Sequence, residues 1–239
     1  MKRTLSGLVG LLLTTAISAQ QTSVAGGDAR TSEKIWTTAF TSVDIDAPVR
    51  ATLHRIADDQ APYATPQLPR NGAVRPTIEV DGKGTLTVKG RSGRRNAGIA
   101  TVDIYHHALD RIEIERADVL LADTLSGHCL DIEAGNGTHL RATVDATDLK
   151  IDVSGGCVVQ LSGKARYLTA CVSASEADLS SLAATAVRVE AAHKARVEVD
   201  AAERVEASVE YGAGIVYSGK PSIVRITRDI FGGEIVSKE

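Results

Sequence analysis

Between Leu130 and Val224 the chain repeats one pattern with a near-constant step. Five segments open on an alternating apolar triplet: Leu130/Ile132/Ala134, Leu149/Ile151/Val153, Leu168/Ala170/Val172, Val187/Val189/Ala191 and Val205/Ala207/Val209. Their starts lie 19, 19, 19 and 18 residues apart. Alternation inside a unit is strand periodicity, and a fixed step of this size between units is that of a stacked solenoid. Ile112-Glu113-Ile114 is an earlier, less regular copy, so about six short rungs are expected over 109–224. A unit this short cannot bury its own apolar face. A connection that returns each strand beside its predecessor gives parallel pairing at about 4.8 Å, and crossover handedness favours a right-handed coil. The sequence therefore predicts an all-β, right-handed parallel β-helix, a single-domain β-solenoid with an N-terminal strand and hairpin region. The Ala- and Glu-rich stretch 183–210 has helical composition, but Val187 and Val189, or Val197 and Val199, share a face only on a strand.

Composition agrees with stacked short strands. Aromatic residues make up 3% of the chain and Met occurs once, so the core must come from Val, Ile, Leu and Ala. Few sugar-stacking platforms and no large aromatic-lined pocket are expected.

The first residues resemble an export signal. Lys2 and Arg3 precede an apolar run from Leu5 to Ile17, too short for a comfortable membrane span, and small residues at Ala16, Ser18 and Ala19 offer cleavage points. Residues 1–19 are thus read as a signal peptide, 20–34 as a flexible leader and 35–239 as one domain with no membrane-spanning segment. Loss of Lys2 and Arg3 takes the formal charge from −3 to −5, which argues against nucleic acid as a partner.

Structure is expected from Ile35. Phe40 to Asp46 and Val49 to Leu53 alternate as strands. Four prolines (Pro62, Pro66, Pro69, Pro76) then predict an extended surface loop rather than central strands. Thr77 to Val80 and Thr85 to Val88 flank Asp81-Gly82-Lys83-Gly84 as a β-hairpin. Arg91, Arg94 and Arg95 form a basic, glycine-rich linker, and Ile99 to Tyr105 is a further strand. Turns are expected at Gly135-Asn136-Gly137, Ser154-Gly155-Gly156 and Gly212-Ala213-Gly214, where positive φ is needed.

No catalytic, cofactor or metal residue stands out. Cys129, Cys157 and Cys171 are odd in number and occupy different repeat positions, so free, half-buried thiols are expected. His106 and His107 are strand neighbours that point to opposite faces, and His54, His128, His139 and His193 do not fall in register, so no zinc site is expected. One outward column reads Asp131, Lys150, Thr169, Arg188, Glu206, with opposite charges adjacent at both ends. The next reads Glu113, Glu133, Asp152, Cys171, Glu190, Ser208. Adjacent carboxylates such as Glu133 and Asp152 have the makings of an acid/base pair or a cation site, but a solvated acidic face is expected, and removing the like charges should stabilise slightly.

Phe40-Thr41-Ser42-Val43-Asp44-Ile45, Leu149-Lys150-Ile151-Asp152-Val153-Ser154-Gly155-Gly156, Val172-Ser173-Ala174-Ser175-Glu176-Ala177-Asp178-Leu179 and Tyr217-Ser218-Gly219-Lys220-Pro221 together resemble the putative auto-transporter adhesin, head GIN domain family. The resemblance runs in order from Phe40 to Val236. Departures are Asn136-Gly137 in place of Ser-Gly-Ala, Ala191-Ala192-His193-Lys194 at a corner, and the proline-rich segment where a strand is expected near residue 65. The resemblance implies a parallel β-helix in bacterial envelope or secreted proteins, with no catalytic residues to carry over. The reading is an exported, non-enzymatic, adhesin-like module for a cell-surface or envelope ligand, protein or polysaccharide. The alternatives are a carbohydrate-active lyase or hydrolase on the same fold, or a structural module that pairs with a second copy.

Overall fold

The computed structural model describes residues 33–69, 75–91, 98–228 and 231–238. The signal-like segment, nearly all of the leader, and Arg94 and Arg95 of the basic linker lie outside the described residues. Within them, strands β1 (Ile35–Trp36), β2 (Ser42–Asp46), β3 (Val49–Arg55), β4 (Tyr63–Gln67), β5 (Thr77–Val80), β6 (Thr85–Lys89), β7 (Ala100–His106), β8 (Arg111–Glu115) and β9 (Asp118–Leu121) precede the regular repeats. The repeats supply β10 (Leu125–Gly135), β11 (His139–Ser154), β12 (Val158–Ser173), β13 (Glu176–Ala192) and β14 (Arg196–Val209), and β15 (Ala213–Ser218), β16 (Ile223–Arg228) and β17 (Gly233–Ser237) close the stack. All belong to one sheet that coils into a solenoid of about seven turns.

The register follows the apolar triplets. Leu130 pairs with Leu149, Leu149 with Leu168, Leu168 with Val187, and Val187 with Val205, all in parallel. Ile132, Ile151, Ala170 and Val189 form the next inward column, each at most 1% exposed. Each buried Leu, Ile or Val contributes roughly 1.5–3 kcal/mol relative to exposure, and every one of these contacts is made between rungs.

Corners alternate between a tight turn and a gentle bend. At the tight turn Arg116, Asn136, Gly155, Ala174, His193 and Tyr211 stack as a column of left-handed residues, with φ from 49° to 80°. Four turns take a second left-handed residue, at Gly137, Gly156, Lys194 and Gly212. The expected glycine turns are therefore present, but non-glycine residues carry much of the same conformation. Beside this column a buried row caps the turn carbonyls: the Thr138 hydroxyl donates to the Gly135 carbonyl at 2.7 Å, the Cys157 thiol to the Ser154 carbonyl at 3.0 Å and the Ser175 hydroxyl to the Ser173 carbonyl at 2.9 Å. Turn lengths differ by a residue or two, and β-bulges in the β12/β13 and β13/β14 ladders restore the register. At the gentle bend Gly163 has φ 106°, and a Cβ there would lie 2.1 Å from the Val144 carbonyl oxygen, so only glycine lets these rungs approach.

Two features depart from the sequence reading. The N-terminal strands are not a separate region but extend the same stack. β2 lies between β6 and β8, and β3 between β7 and β9, all parallel. The proline-rich segment is only partly loop: β4 runs antiparallel along β7, with Pro66 opposite Val102. Its outer neighbour β1 covers only Tyr63 and Ala64, so Pro66 occupies an edge, where a residue without an N–H is tolerated. β5 likewise lies antiparallel on β6, as the predicted hairpin, so both columns of the first turn are capped by strands of opposite direction.

Two predictions follow from the core. Ile151 is fully buried and Asp152 beside it faces out, so Ile151→Asp should abolish cooperative melting while Asp152→Ser melts close to wild type; a normal melt for Ile151→Asp would refute the inward column. His106 is buried, and burial pulls its imidazole from 6.5 down to about 4. The unfolded chain thus gains a proton that the folded chain resists. Stability should be full above pH 6.5 and fall by up to about 3 kcal/mol as the pH drops toward 4. Melting curves across that window should flatten in His106→Leu, and an equal slope in both proteins would count against the assignment.

Candidate functional site

The face built by the second halves of the repeat strands carries both predicted outward columns. Strand pairing places Asp44, Glu113, Glu133, Asp152, Cys171, Glu190 and Ser208 in successive register. Sequence reasoning found six of these positions; Asp44 joins because β2 enters the stack out of chain order. The parallel column runs from Arg111 through Asp131, Lys150, Thr169, Arg188 and Glu206 to Arg225.

Arg111 changes the character of the acidic column. Its guanidinium donates to Asp131 at 2.6 Å and to Glu133 at 2.8 Å, and reaches Glu113 at 3.5 Å. Burial alone would lower its pKa, but the Glu133 and Asp131 carboxylates outweigh that and hold it above its ordinary value. Glu133 is therefore an ion-pair acceptor rather than half of an unrelieved like-charge pair. The expectation that neutralising the acidic column would stabilise the fold is corrected at this position: Glu133→Gln removes a partner of Arg111. Lys150 adds a contact to Asp131 at 3.7 Å, as the alternating charges predicted. At the other end Arg188 instead turns along its own strand to Glu190 at 2.7 Å, while Glu206 takes Arg204 and Arg225.

Further along, Asp152, Cys171 and Glu190 line a hollow of about 210 Å³. Burial, and then the Glu190 and Asp152 charges, push the Cys171 thiol up, which keeps it protonated and a poor nucleophile. All three cysteines are free, as expected: Cys129 exposed, Cys157 buried and Cys171 between.

The opposite face holds a larger open groove, about 480 Å³, which sequence reasoning missed. Arg50, Asp118, His139 and Arg141 line it with Leu120 and Gln160. Asp118 is approached by His139 at 3.0 Å and Arg50 at 3.7 Å, and Arg141 donates to the Gln160 side-chain amide oxygen Oε1 at 2.9 Å. Arg50 could not be placed beside Asp118 from spacing alone, because β3 pairs with β9, six strands later in the chain.

The few aromatic residues are concentrated into two ladders. Trp36, Tyr63, Tyr105 and His54 follow one another with ring centroids 5.1, 4.2 and 4.8 Å apart at the capped end. His193, Tyr211 and Phe231 stack at 5.0 and 5.3 Å along the tight turn. Rings inside a ladder cover one another, so the terminal Trp36 and Phe231 are left 61% and 63% exposed.

The histidines fall as the strand geometry requires in one case and not in another. His106 is buried while His107 faces out and bonds to the Gln60 carbonyl at 2.8 Å. His128, however, meets Cys129 and Asp148, with the three ligand atoms all within 4.8 Å of one another. The sequence reading expects no site here because the histidines fall out of register with one another, although Cys129 and Asp148, 19 residues apart, share a column.

Comparison with known proteins follows the geometry. The family model for the putative auto-transporter adhesin, head GIN domain matches residues 72–221. No curated protein matches the chain. Among solved structures, a putative adhesin from Bacteroides fragilis is similar over 89% of this chain and 98% of its own, at 18% identity and a TM-score of 0.78. A putative adhesin from Parabacteroides merdae is similar at 15% identity over 89% and 98%, with a TM-score of 0.63. A putative lipid binding protein from Parabacteroides distasonis has 14% identity over 87% and 96%, also with a TM-score of 0.63. These likenesses bear on the fold, and together with the stacked triplets, the left-handed corner column and the family match they lead to one assignment: the chain belongs to the putative auto-transporter adhesin, head GIN domain family.

Proposed function

We propose that this chain is an exported, non-enzymatic β-solenoid of the bacterial cell envelope whose repetitive outer faces bind a surface or envelope ligand. Residues 1–19 act as the export signal, 20–34 as a leader, and 35–239 fold as one domain. The observation that carries the reading is the in-register array of outward polar side chains, from Arg111 to Arg225 in one column and from Asp44 to Ser208 in the next. A column of mixed charge beside an acidic one, both repeated at strand spacing of about 4.8 Å, matches a ligand that itself repeats or is extended. Family membership supports the adhesin-like reading, and the adhesin descriptions of the Bacteroides and Parabacteroides proteins point the same way.

A carbohydrate-active enzyme would need its acid/base pair on the acidic column. Glu133 is instead engaged by the Arg111 guanidinium at 2.8 Å, so the carboxylate oxygen that would have to meet a substrate is already held within the column.

Two measurements test this. Mass spectrometry of protein from the native envelope fraction should show an N-terminus near Ala19 or Gln20, and an intact Met1 in the cytoplasm would end the export claim. Across a panel of polysaccharides the purified mature protein should release no reducing ends or unsaturated products. Glu133→Gln with Asp152→Asn should leave envelope binding within a few-fold and lower the melting temperature modestly, by the loss of an ion pair worth up to about 1 kcal/mol. An activity that disappears with these two substitutions would reverse the reading, since general acid/base groups supply about 10²-fold or more.

A further inference from the structure

The gentle bend of the solenoid breaks the in-out alternation of its strands. In β10 the inward residues Leu125 and Leu130 are five apart, and both His128 and Cys129 between them are exposed. The ladder shows why. Gly127 pairs with Ala146 and Cys129 with Asp148, while His128 and Thr147 have no pairing partner. Two consecutive side chains are thereby turned to the convex side. A Cβ on Gly127 would lie 2.6 Å from Leu130 Cδ2, so the glycine is what lets Leu130 pack beneath the bend.

Register then sets Asp148 of the next rung directly against Cys129, and the imidazole, thiol and carboxylate ligand atoms all lie within 4.8 Å of one another. The surrounding charges are occupied elsewhere: Lys164 pairs with Asp145 at 3.2 Å, Lys150 with Asp131 at 3.7 Å, and Arg166 lies over the Tyr167 ring. Among the described residues, the side chains of His128, Cys129 and Asp148 have no hydrogen bond or ion pair.

We propose that His128, Cys129 and Asp148 form a surface site for a borderline divalent transition metal ion, zinc foremost. One nitrogen, one sulfur and one carboxylate oxygen make a donor set suited to zinc and foreign to calcium or magnesium, which take oxygen ligands. Bonds of about 2.0–2.3 Å at tetrahedral angles require donors roughly 3.5 Å apart. Closing the three donors from within 4.8 Å to that spacing falls to side-chain rotation, because the ladder holds the backbone of both rungs. The fourth position faces solvent and is filled by water, or by a donor from whatever the solenoid binds. Binding converts the Cys129 thiol to a thiolate, with one proton released to solvent. The site is independent of the adhesin-like reading, which rests on the two polar columns.

Cobalt titration of the reduced mature protein tests it. Co²⁺ should produce a thiolate-to-metal charge-transfer band saturating at about one ion per chain, and Zn²⁺ should abolish the band by competition. Cys129→Ser should remove the band. Cys171→Ser should leave it unchanged, and His128→Ala and Asp148→Ala should each weaken binding by about ten-fold or more. All four positions lie at or near the surface, and unchanged circular dichroism spectra establish that the variants are folded. Absence of the band in the wild-type protein, or its persistence in Cys129→Ser, would overturn the proposal.

Discussion

Each turn of this solenoid has a buried side only because another turn lies against it, so the parallel ladder between successive rungs is the interaction on which everything else depends. Its hydrogen bonds fix the register, and register decides which residues share a column. A slip of one residue would turn Leu149, Ile151 and Val153 outward and bring Lys150 and Asp152 into the core. The inward columns resist that slip through apolar burial, and the outward columns reinforce it through pairs such as Lys150 with Asp131. Stability is then close to a sum of neighbour terms along one dimension, and the ends need separate treatment. β4 and β5, running antiparallel on β7 and β6, supply it at the first turn.

The regular part of the fold was legible because strand periodicity and repeat length are both local signals. The triplets from Leu130 to Val209 locate their strands and, by subtraction, their partners. What could not be read was any pairing against chain order. β2 and β3 sit between strands that follow them by dozens of residues, so the neighbours of Asp44 and Arg50 are invisible to spacing. Pro66 misled for a different reason: proline excludes a central strand but not an edge one, and edge status is a property of the assembled sheet.

The functional surface shows the same division. Both outward columns were readable once the step was known, but side-chain choices within them were not. Arg188 has Glu206 across the ladder and Glu190 along its own strand, and it takes the latter. Arg111 stands at the head of an irregular rung yet reaches three carboxylates, which alters the chemistry of Glu133. The bend near His128 was hidden because β10 reads as one strand, and one missing pair in the ladder, His128 with Thr147, is enough to gather three donors that a strict alternation keeps apart.

The out-of-order rung also bears on how the molecule comes to be assembled. β2 and β3 precede both of their neighbours in the chain, the turn of β6 with β7 on one side and that of β8 with β9 on the other. Until residue 121 is available, the turn of β2 with β3 has at least one ladder edge open, and before residue 85 it has neither flanking rung. Orderly addition of turns from the N-terminus is therefore ruled out for this end. The rungs from β10 onward, each pairing with its immediate predecessor, close with loops of about one turn and form the part of the chain where contacts are cheapest in entropy. A chain emerging from a ribosome or an export channel thus carries its most demanding closure in its leading half, where an unpaired strand is exposed longest to foreign edges.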